Sequence, residues 1–552
     1  ATSQPLEGVR FGLYEDASCS RLIREFATDA NGAYQSENLP AGTYYLKEMG
    51  TREGYVLEQT VHAVSVSPGV NTDLSLTNER AVGQAALVKT DSETGMGLEG
   101  VVYGLYAAED IMHPDGKTGV VYQTDALVKR VETDRDGRAE ADGLYLGDYY
   151  WKEITPRTVV QEGYTSGYQK NEEVIQVRFS AWNPQQKTYR SEAGAPNKLI
   201  TGSVLLRKQD RETGTPQGDA VLEGAVYDIY ARTDVIHPDG HTGTLYTAWK
   251  EGDDRTQPSY VGTLTTDEEG YAAMAGLYPG CYLAVERTAG AGYLVNPQPT
   301  AFTITVEDTS YATVETECVA EEQVMKQPFA LVKFGAGKEE DEYGGLAYAG
   351  FQAYLLSSLE TNPDGSYDYG SAEPVILTAD GKTELFTDQN GFAQSVPLPY
   401  GTYVVRETTV PQGYRAVRDF QVVISENDPD TPQTWRILLD EAFSVRLAVT
   451  KKDSVSGKAI LNQAAEFRIY DLAEEKYLTW EMVYPKKEIC EVFHTDETGR
   501  LAFPFQLLPG QYRIEEVTAP EGYLAGEPTV IEIYEGMAYR ADQETGAYIV
   551  EM

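Results

Sequence analysis

Five glutamates in this 552-residue sequence stand where strand periodicity calls for an apolar side chain. Each closes a G-x-Y-x-x-x-E run: "GTYYLKE", "GDYYWKE", "GCYLAVE", "GTYVVRE" and "GQYRIEE". Side chains of a strand alternate with period two. Tyr44 and Leu46 therefore share a face with Glu48, Tyr149 and Trp151 with Glu153, and Tyr282 and Ala284 with Glu286. Tyr403 and Val405 likewise accompany Glu407, and Tyr512 and Ile514 accompany Glu516. Four lysines behave the same way. Lys89 follows Leu87, Lys208 follows Leu206, Lys333 follows Leu331 and Lys451 follows Val449, each two residues on and on the same face.

Charges turned into a core are costly unless they pair or neutralise. A plain Lys–Glu ion pair is one outcome, but apolar residues of similar volume often serve stability as well or better. Burial lowers a lysine pKa and raises a glutamate pKa. Together the two groups become a neutral amine, which is a nucleophile, beside a neutral acid that can donate a hydrogen bond. The electrophile is found by counting back eleven residues from each lysine along ungapped segments such as "NKLITGSVLLRK" and "DEAFSVRLAVTK". The positions reached are Asn78, Asn197, Glu322 and Asp440. An amine attacking the carbonyl of Asn or Asp yields an amide between the first and last strands of one domain.

The elements that hold these residues repeat. All five glutamate runs are preceded by Thr-Asp-x-x-Gly, as in "TDRDGR" and "TDQNGF", a hairpin-turn signal with Gly at the left-handed position. Four are followed closely by Gly-Tyr ("REGY", "GAGY", "PQGY", "PEGY"), and in the second the reading places it later, in "VVQEGY". The lysines are 119, 125 and 118 residues apart, so the repeat is one domain long. Short alternating strands separated by clusters such as "HPDG" and "DETG" predict β-sandwiches. The expected domains are 1–82, 83–201, 202–326, 327–444 and 445–552. The first is expected to lack its lysine strand, the sequence being cut inside a repeat, and the last to stop short in its final strand, "GAYIVEM".

"GTYVVRETTVPQGY" and "GQYRIEEVTAPEGY", with the K-x-D-like first strand, resemble the E-box of Cna B-type (SpaA-like, prealbumin-like) domains of Gram-positive surface proteins and pilins. The resemblance covers essentially the whole chain. It implies an all-β tandem array of Ig-like or prealbumin-like sandwiches, each able to form a spontaneous isopeptide bond. Carried over by position, it implies a bond in the second domain from Lys89, Glu153 and Asn197, and in the fourth from Lys333, Glu407 and Asp440. The third offers Lys208 and Glu286, but Glu322 is one methylene too long, and no bond is expected there. Glu48 and Asn78 lack a lysine, and Lys451 and Glu516 lack an acceptor. The function implied is a cell-surface stalk or pilin-like adhesin, extracellular and anchored to a Gram-positive cell wall, with sortase acting through regions outside this segment.

Composition agrees and excludes other classes. Asp and Glu number 86 against 45 Lys and Arg, a formal charge of −41, which is unsuited to nucleic acid or an anionic membrane surface. No apolar run is long enough to span a bilayer, and Ala1–Gly8 is polar, so any secretion signal is expected to lie outside this segment. Cys19, Cys281, Cys318 and Cys490 form no C-x-x-C pair. Cys281 and Cys318 either pair or pack as free thiols. "DLSLT" (73–77), a fragment of a metal-dependent adhesion motif, is expected to be a last strand. "TWEMVYPKK" (479–487) resembles a pilin linking motif through Lys486, but is expected to be a hairpin strand. "HPDGKTG" and "HPDGHTG", holding His113, His237 and His241, are expected to be turns. No cofactor and no metal are expected. A carbohydrate-active enzyme would show one distinctive site rather than five equivalent ones. A binding module for a host protein or glycan is compatible with the stalk, and the 39 tyrosines permit it without locating it.

Overall fold

The structure is a computed structural model that describes residues 4–336, 343–433, 436–440, 442–483, 486–534, 540–541 and 548–549. Among them are strands, turns and one short 3-10 turn at Leu356–Ser358, with no α-helix and no helix long and apolar enough to cross a membrane. The chain forms two compact units. One comprises residues 1–209, 222–289 and 295–321, the other 210–221, 290–294 and 322–552.

The second domain displays the complete pattern. Its lysine strand, Val82–Asp91, lies between Arg138–Leu144 and the last strand, Thr188–Asn197. The pairing to the last strand is parallel, with Lys89 opposite Ala195 and Asp91 opposite Asn197. The facing sheet runs Ile175–Val177, Tyr149–Thr155, Val102–Ala107, Leu127–Glu132. Tyr149, Trp151 and Glu153 are buried while Lys152 is exposed, so the glutamate shares the core face. Leu87, Leu105, Tyr149, Trp151 and Ala195 fill the space between the sheets.

The fourth domain repeats this plan within its own unit. Ala330–Ala336 pairs in parallel with Arg436–Asp440, setting Gly335 opposite Asp440. Gly401–Thr409 carries Glu407 in the facing sheet. In both domains the acceptor therefore lies opposite the residue two beyond the lysine.

The Thr-Asp-x-x-Gly piece does more than turn the chain. Its glycines, Gly32, Gly137, Gly270, Gly391 and Gly499, all have φ between +66° and +85°. The Gly137 carbonyl accepts the Lys89 backbone N–H at 2.7 Å, and Gly391 accepts that of Lys333 at 2.7 Å. A Cβ on Gly137 would lie 2.0 Å from the Lys89 carbonyl oxygen, so the turn fits only as glycine. The tyrosine of G-x-Y is fixed as well. The hydroxyls of Tyr149 and Tyr403 donate to the carbonyls of Tyr145 and Pro399 four residues earlier, at 2.7 and 2.8 Å.

Two expectations need correction. Residues 73–77 are not in a strand. In the second and fourth domains the last strand is held by parallel pairing to the lysine strand, and residues 73–77 have no strand pairing among the described residues. The tyrosine matching Tyr55, Tyr293 and Tyr414 in the second domain is Tyr168, not Tyr164. Each of these four makes an antiparallel bridge to the segment after the acceptor, Tyr168 to Leu199. Eight extra residues fold into the hairpin Thr158–Gln161/Tyr164–Gly167 and displace the motif. Of the two alternatives left open for Cys281 and Cys318, the structure has the second: both are buried free thiols, and burial pushes Cys318 up to about 11.

Candidate functional site

In the second domain the three expected side chains meet in the core. Lys89 Nζ lies 2.5 Å from Asn197 Oδ1 and 2.7 Å from Glu153 Oε2. Asn197 Nδ2 donates to the other glutamate oxygen at 3.2 Å. The Lys89 and Glu153 side chains have no solvent exposure. Burial lowers the lysine pKa, opposed only in part by the Glu153 charge and hydrogen bond. A fourth side chain, Tyr103, stands opposite Glu153 on the neighbouring strand. Its hydroxyl lies 3.0 Å from Lys89 Nζ and donates to Glu153 Oε2 at 3.0 Å. Burial pushes the phenol pKa well upward, so Tyr103 stays a donor.

The fourth domain gathers Lys333, Glu407 and Asp440. Lys333 Nζ is 2.8 Å from Glu407 Oε2 and 2.5 Å from Asp440 Oδ1, and all three side chains are fully buried. Phe351 stands opposite Glu407, with its ring centroid 5.5 Å from Nζ. The Val417 N–H donates to Glu407 Oε2 at 2.9 Å. The same ten-residue step supplies Glu58 N–H to Glu48, Asn296 N–H to Glu286 and Gly526 N–H to Glu516. In the second domain the hairpin insertion intervenes, and the Tyr103 hydroxyl reaches Glu153 instead.

The remaining domains hold partial sets. Lys208 Nζ is 3.0 Å from Glu286 Oε1 with both side chains buried, and Glu322 is buried at the end of its strand. Asn78 Nδ2 donates to both oxygens of Glu48 at 2.8 and 2.9 Å, and burial raises the Glu48 pKa. Lys451 Nζ lies 2.6 Å from Glu516 Oε2, but the lysine retains 17% exposure. In "GAYIVEM" only the backbone of Tyr548 and Ile549 belongs to the described residues. Of the linking-motif reading, Tyr484 and Pro485 lie outside them, while Lys486 is exposed between paired strands Trp480–Met482 and Glu488–Cys490.

The aromatic residue across from each glutamate was not singled out from sequence. It is Phe11, Tyr103, Tyr227, Phe351 or Phe467. The available signal was the aromatic in "VVYGLYA", "AVYDIYA" and "EFRIYDL", but the cross-strand register that aims it at the glutamate is a tertiary fact.

A family model described as the SpaA prealbumin-like fold domain matches residues 1–80, 83–192, 202–318, 338–436 and 445–545. The chain belongs to this family. The serine-aspartate repeat-containing protein F of Staphylococcus epidermidis is 22% identical over 418 residues, covering 70% of this chain and 23% of that protein. The chain thus spans under a quarter of that relative's length. Among solved structures, the Bacillus anthracis TIE protein overlaps 86% of this chain and 75% of its own at 18% identity and a TM-score of 0.33. GBS52, the minor pilin of Streptococcus agalactiae, overlaps 44% of this chain and 96% of its own at 16% identity and a TM-score of 0.19. The shaft pilin SpaA of Lactobacillus rhamnosus GG overlaps 44% and 98% at 19% identity and a TM-score of 0.18.

Proposed function

We propose that this SpaA-type array is a structural and adhesive segment of a Gram-positive cell-surface stalk or pilin-like protein. Its second and fourth domains are locked by self-formed Lys89–Asn197 and Lys333–Asp440 isopeptide bonds. The observation that carries this reading is an amine within 2.5 Å of an Asn or Asp side-chain oxygen, with a glutamate at 2.7–2.8 Å, in a core without water access.

The chemistry balances. Glu153 takes a proton from the Lys89 ammonium through Oε2, and the freed Nζ attacks Cγ of Asn197. The N–C bond forms, the Cγ–Nδ2 bond breaks, and the second Nζ proton passes to the departing nitrogen, which leaves as ammonia while Glu153 keeps the first. In the fourth domain the same attack on protonated Asp440 expels its hydroxyl, which takes the second Nζ proton and leaves as water. Each site acts once, so this is self-modification rather than enzymatic turnover. Positioning supplies the rate, because the reacting groups are held at near-attack distance.

The mechanical consequence follows from topology. The bond joins the first and last strands of a domain, which lie side by side in parallel. Tension entering at one end leaves through the bond, and the 108-residue interval from Lys89 to Asn197 is shielded from extension. The formal charge of −41 keeps such a surface solvated and separate from its neighbours. Anchoring by sortase and adhesion to a host protein or glycan belong to this reading, the first through regions outside this segment.

The test is the intact mass of the purified chain, denatured and reduced. The expected deficit is one ammonia plus one water, with peptide mapping that joins Lys89 to Asn197 and Lys333 to Asp440. A mass equal to the plain sequence would sink the cross-links and leave buried ion pairs.

A further inference from the structure

The two H-P-D-G-x-T-G loops, residues 113–119 and 237–243, do form turns, but they are not surface turns. Asp115 in the first is 1% exposed, and His237 and Asp239 in the second are 2% and 1% exposed. Each loop is closed by its own groups. The His113 N–H donates to the Gly119 carbonyl and the His237 N–H to that of Gly243, both at 2.9 Å. Asp115 accepts the N–H groups of Lys117 and Thr118, each at 2.9 Å, and Asp239 those of His241 and Thr242 at 2.8 and 2.9 Å. The imidazoles belong to the same frame. His113 Nδ1 accepts the Asp115 N–H at 3.2 Å, and His237 Nδ1 the Asp239 N–H at 3.3 Å.

Two groups of each loop turn outward, and both meet the preceding domain. The first is the proline carbonyl. Arg52 Nε of the first domain donates to Pro114 at 2.7 Å, and Arg157 Nε of the second donates to Pro238 at 2.6 Å. Each arginine stands four residues beyond its own domain's core glutamate, Glu48 or Glu153. Arg157 is steadied by its Nη1, which donates to the Glu99 carbonyl of its own domain at 2.6 Å. The second outward group is the side chain at the variable loop position. Lys117 Nζ donates to the Ala30 carbonyl, and His241 Nε2 donates to the Arg135 carbonyl at 3.1 Å. Ala30 and Arg135 hold the same place, the first variable position of Thr-Asp-x-x-Gly. The loop glycine leaves room for the guanidinium. A Cβ on Gly116 would lie 2.2 Å from Arg52 Nη2, and one on Gly240 3.2 Å from Arg157 Nη2.

We propose that H-P-D-G-x-T-G is a docking loop whose partner is another domain of this array, and that the arginine four residues past the core glutamate, together with the Thr-Asp-x-x-Gly turn, is the surface that receives it. The same two contacts, from separate elements, occur at both joints, so the loop is addressed to one particular face. The loop is ordered by its own hydrogen bonds, which lowers the cost of docking, and a cationic donor on a carbonyl makes a charge-assisted bond. The sequence rule ends with the third domain. Four residues past Glu286 stands Gly290, past Glu407 Pro411 and past Glu516 Pro520, and the loop sequence does not occur a third time. The cross-links act within single domains, and these joints act between the first, second and third.

The test is hydrogen exchange of the full chain, read at backbone N–H groups that cross the joints elsewhere. The Leu57 N–H donates to Pro184 across the first joint, and the Lys170 and Val306 N–H groups donate to Thr309 and Thr165 across the second, each at 2.8 Å. Arg157→Met keeps the apolar stem and removes the donors. It should speed exchange at Lys170 and Val306 by about tenfold or more, the scale of losing one hydrogen bond to a charged group, and leave Leu57 unchanged. Arg52→Met should do the reverse. Should either variant fold poorly, Lys117→Met and His241→Met, both at exposed positions, take their place. Unchanged exchange at all three groups overturns the proposal. Acceleration spread through whole domains overturns it too, and assigns the arginines to the stability of single domains. The mass deficit is read in the same samples, so failure of the joints and failure of the cross-links are told apart.

Discussion

The second and fourth domains place the same lysine and glutamate at the same distances but differ in the acceptor. Lys89, Glu153 and Asn197 together carry no net charge when the first two are ionised. Lys333, Glu407 and Asp440, all fully buried, carry one net negative charge in the same state. A buried unbalanced charge is costly. The reactive forms differ accordingly. A neutral amine, a neutral glutamic acid and an asparagine arise in the second domain by moving a proton already there. A neutral amine with two neutral carboxyl groups requires the fourth domain to take one proton from solvent. On the isopeptide reading proposed above, the device would be self-contained with an amide acceptor and proton-dependent with an acid acceptor.

The sharpest way to break this comparison is to remove one promoter at a time. Glu153→Gln keeps the side chain's size but cannot accept the lysine proton. It should abolish the ammonia loss and leave the water loss intact, and Glu407→Gln should do the reverse. Under force, Glu153→Gln should release about 360–390 Å of additional chain, from the 108-residue interval at roughly 3.3–3.6 Å per residue. Single-molecule extension reads this directly, and equal contour lengths for wild type and variant would contradict the shielding argument. Asp440→Asn tests the acceptor itself. The bond should persist while the total deficit becomes two ammonias.

Next in size is stability. A cross-link closing a loop of about 100 residues restricts the unfolded chain by about 4–5 kcal/mol on the loop-entropy account. Loss of either bond should lower the stability of its own domain by that order in denaturant melts. A loss confined to a few tenths would mean that the wild type never carried the bond.

Much of this site was legible because two periodicities are rigid. Period-two alternation places Glu153 with Trp151 and Lys89 with Leu87 on core faces, and the burial pattern of both strands agrees. The ungapped eleven-residue spacing identified Asn197 and Asp440, since a parallel strand pair tolerates no slip without turning the acceptor to the other face. What escaped depends on contacts between elements distant in sequence. Motif spacing points to Tyr164 because an eight-residue insertion is invisible to it, and the bridge to Leu199 reassigns the place to Tyr168. The burial of "HPDG" could not be read from turn chemistry, which is the same whether a turn meets water or another domain. The strand expected at 73–77 failed because strand propensity without a pairing partner does not make a sheet.

The proton bookkeeping gives the third test. Followed by mass during refolding, formation of the Lys333–Asp440 bond should slow as pH rises, by up to about tenfold per pH unit, one proton being taken up in reaching its reactive form. Formation of the Lys89–Asn197 bond should vary much less across the same range, since its reactive form is reached without uptake. Each bond is read separately in one sample by its own cross-linked peptide. Parallel pH profiles would show that the acceptor does not control the protonation requirement.

The smallest expected effect concerns Tyr103 and its counterpart Phe351. The Tyr103 hydroxyl is 3.0 Å from both Lys89 Nζ and Glu153 Oε2. In the fourth domain the glutamate instead receives the Val417 N–H at 2.9 Å. If these are alternative ways of satisfying the same carboxyl oxygen, Tyr103→Phe makes the second site depend on fewer donors without removing a reacting atom. The bond should still form, because Lys89, Glu153 and Asn197 keep their contacts. The domain should lose about 1–3 kcal/mol, the usual consequence of leaving a buried polar group one partner short. Phe351→Tyr asks the converse. Glu407 Oε1 is buried and without a hydrogen-bond partner among the described residues, so a hydroxyl there has an acceptor in its vicinity and should cost little. Complete loss of the bond in Tyr103→Phe would move Tyr103 from support into the chemistry, and would separate the two domains by mechanism rather than by acceptor alone.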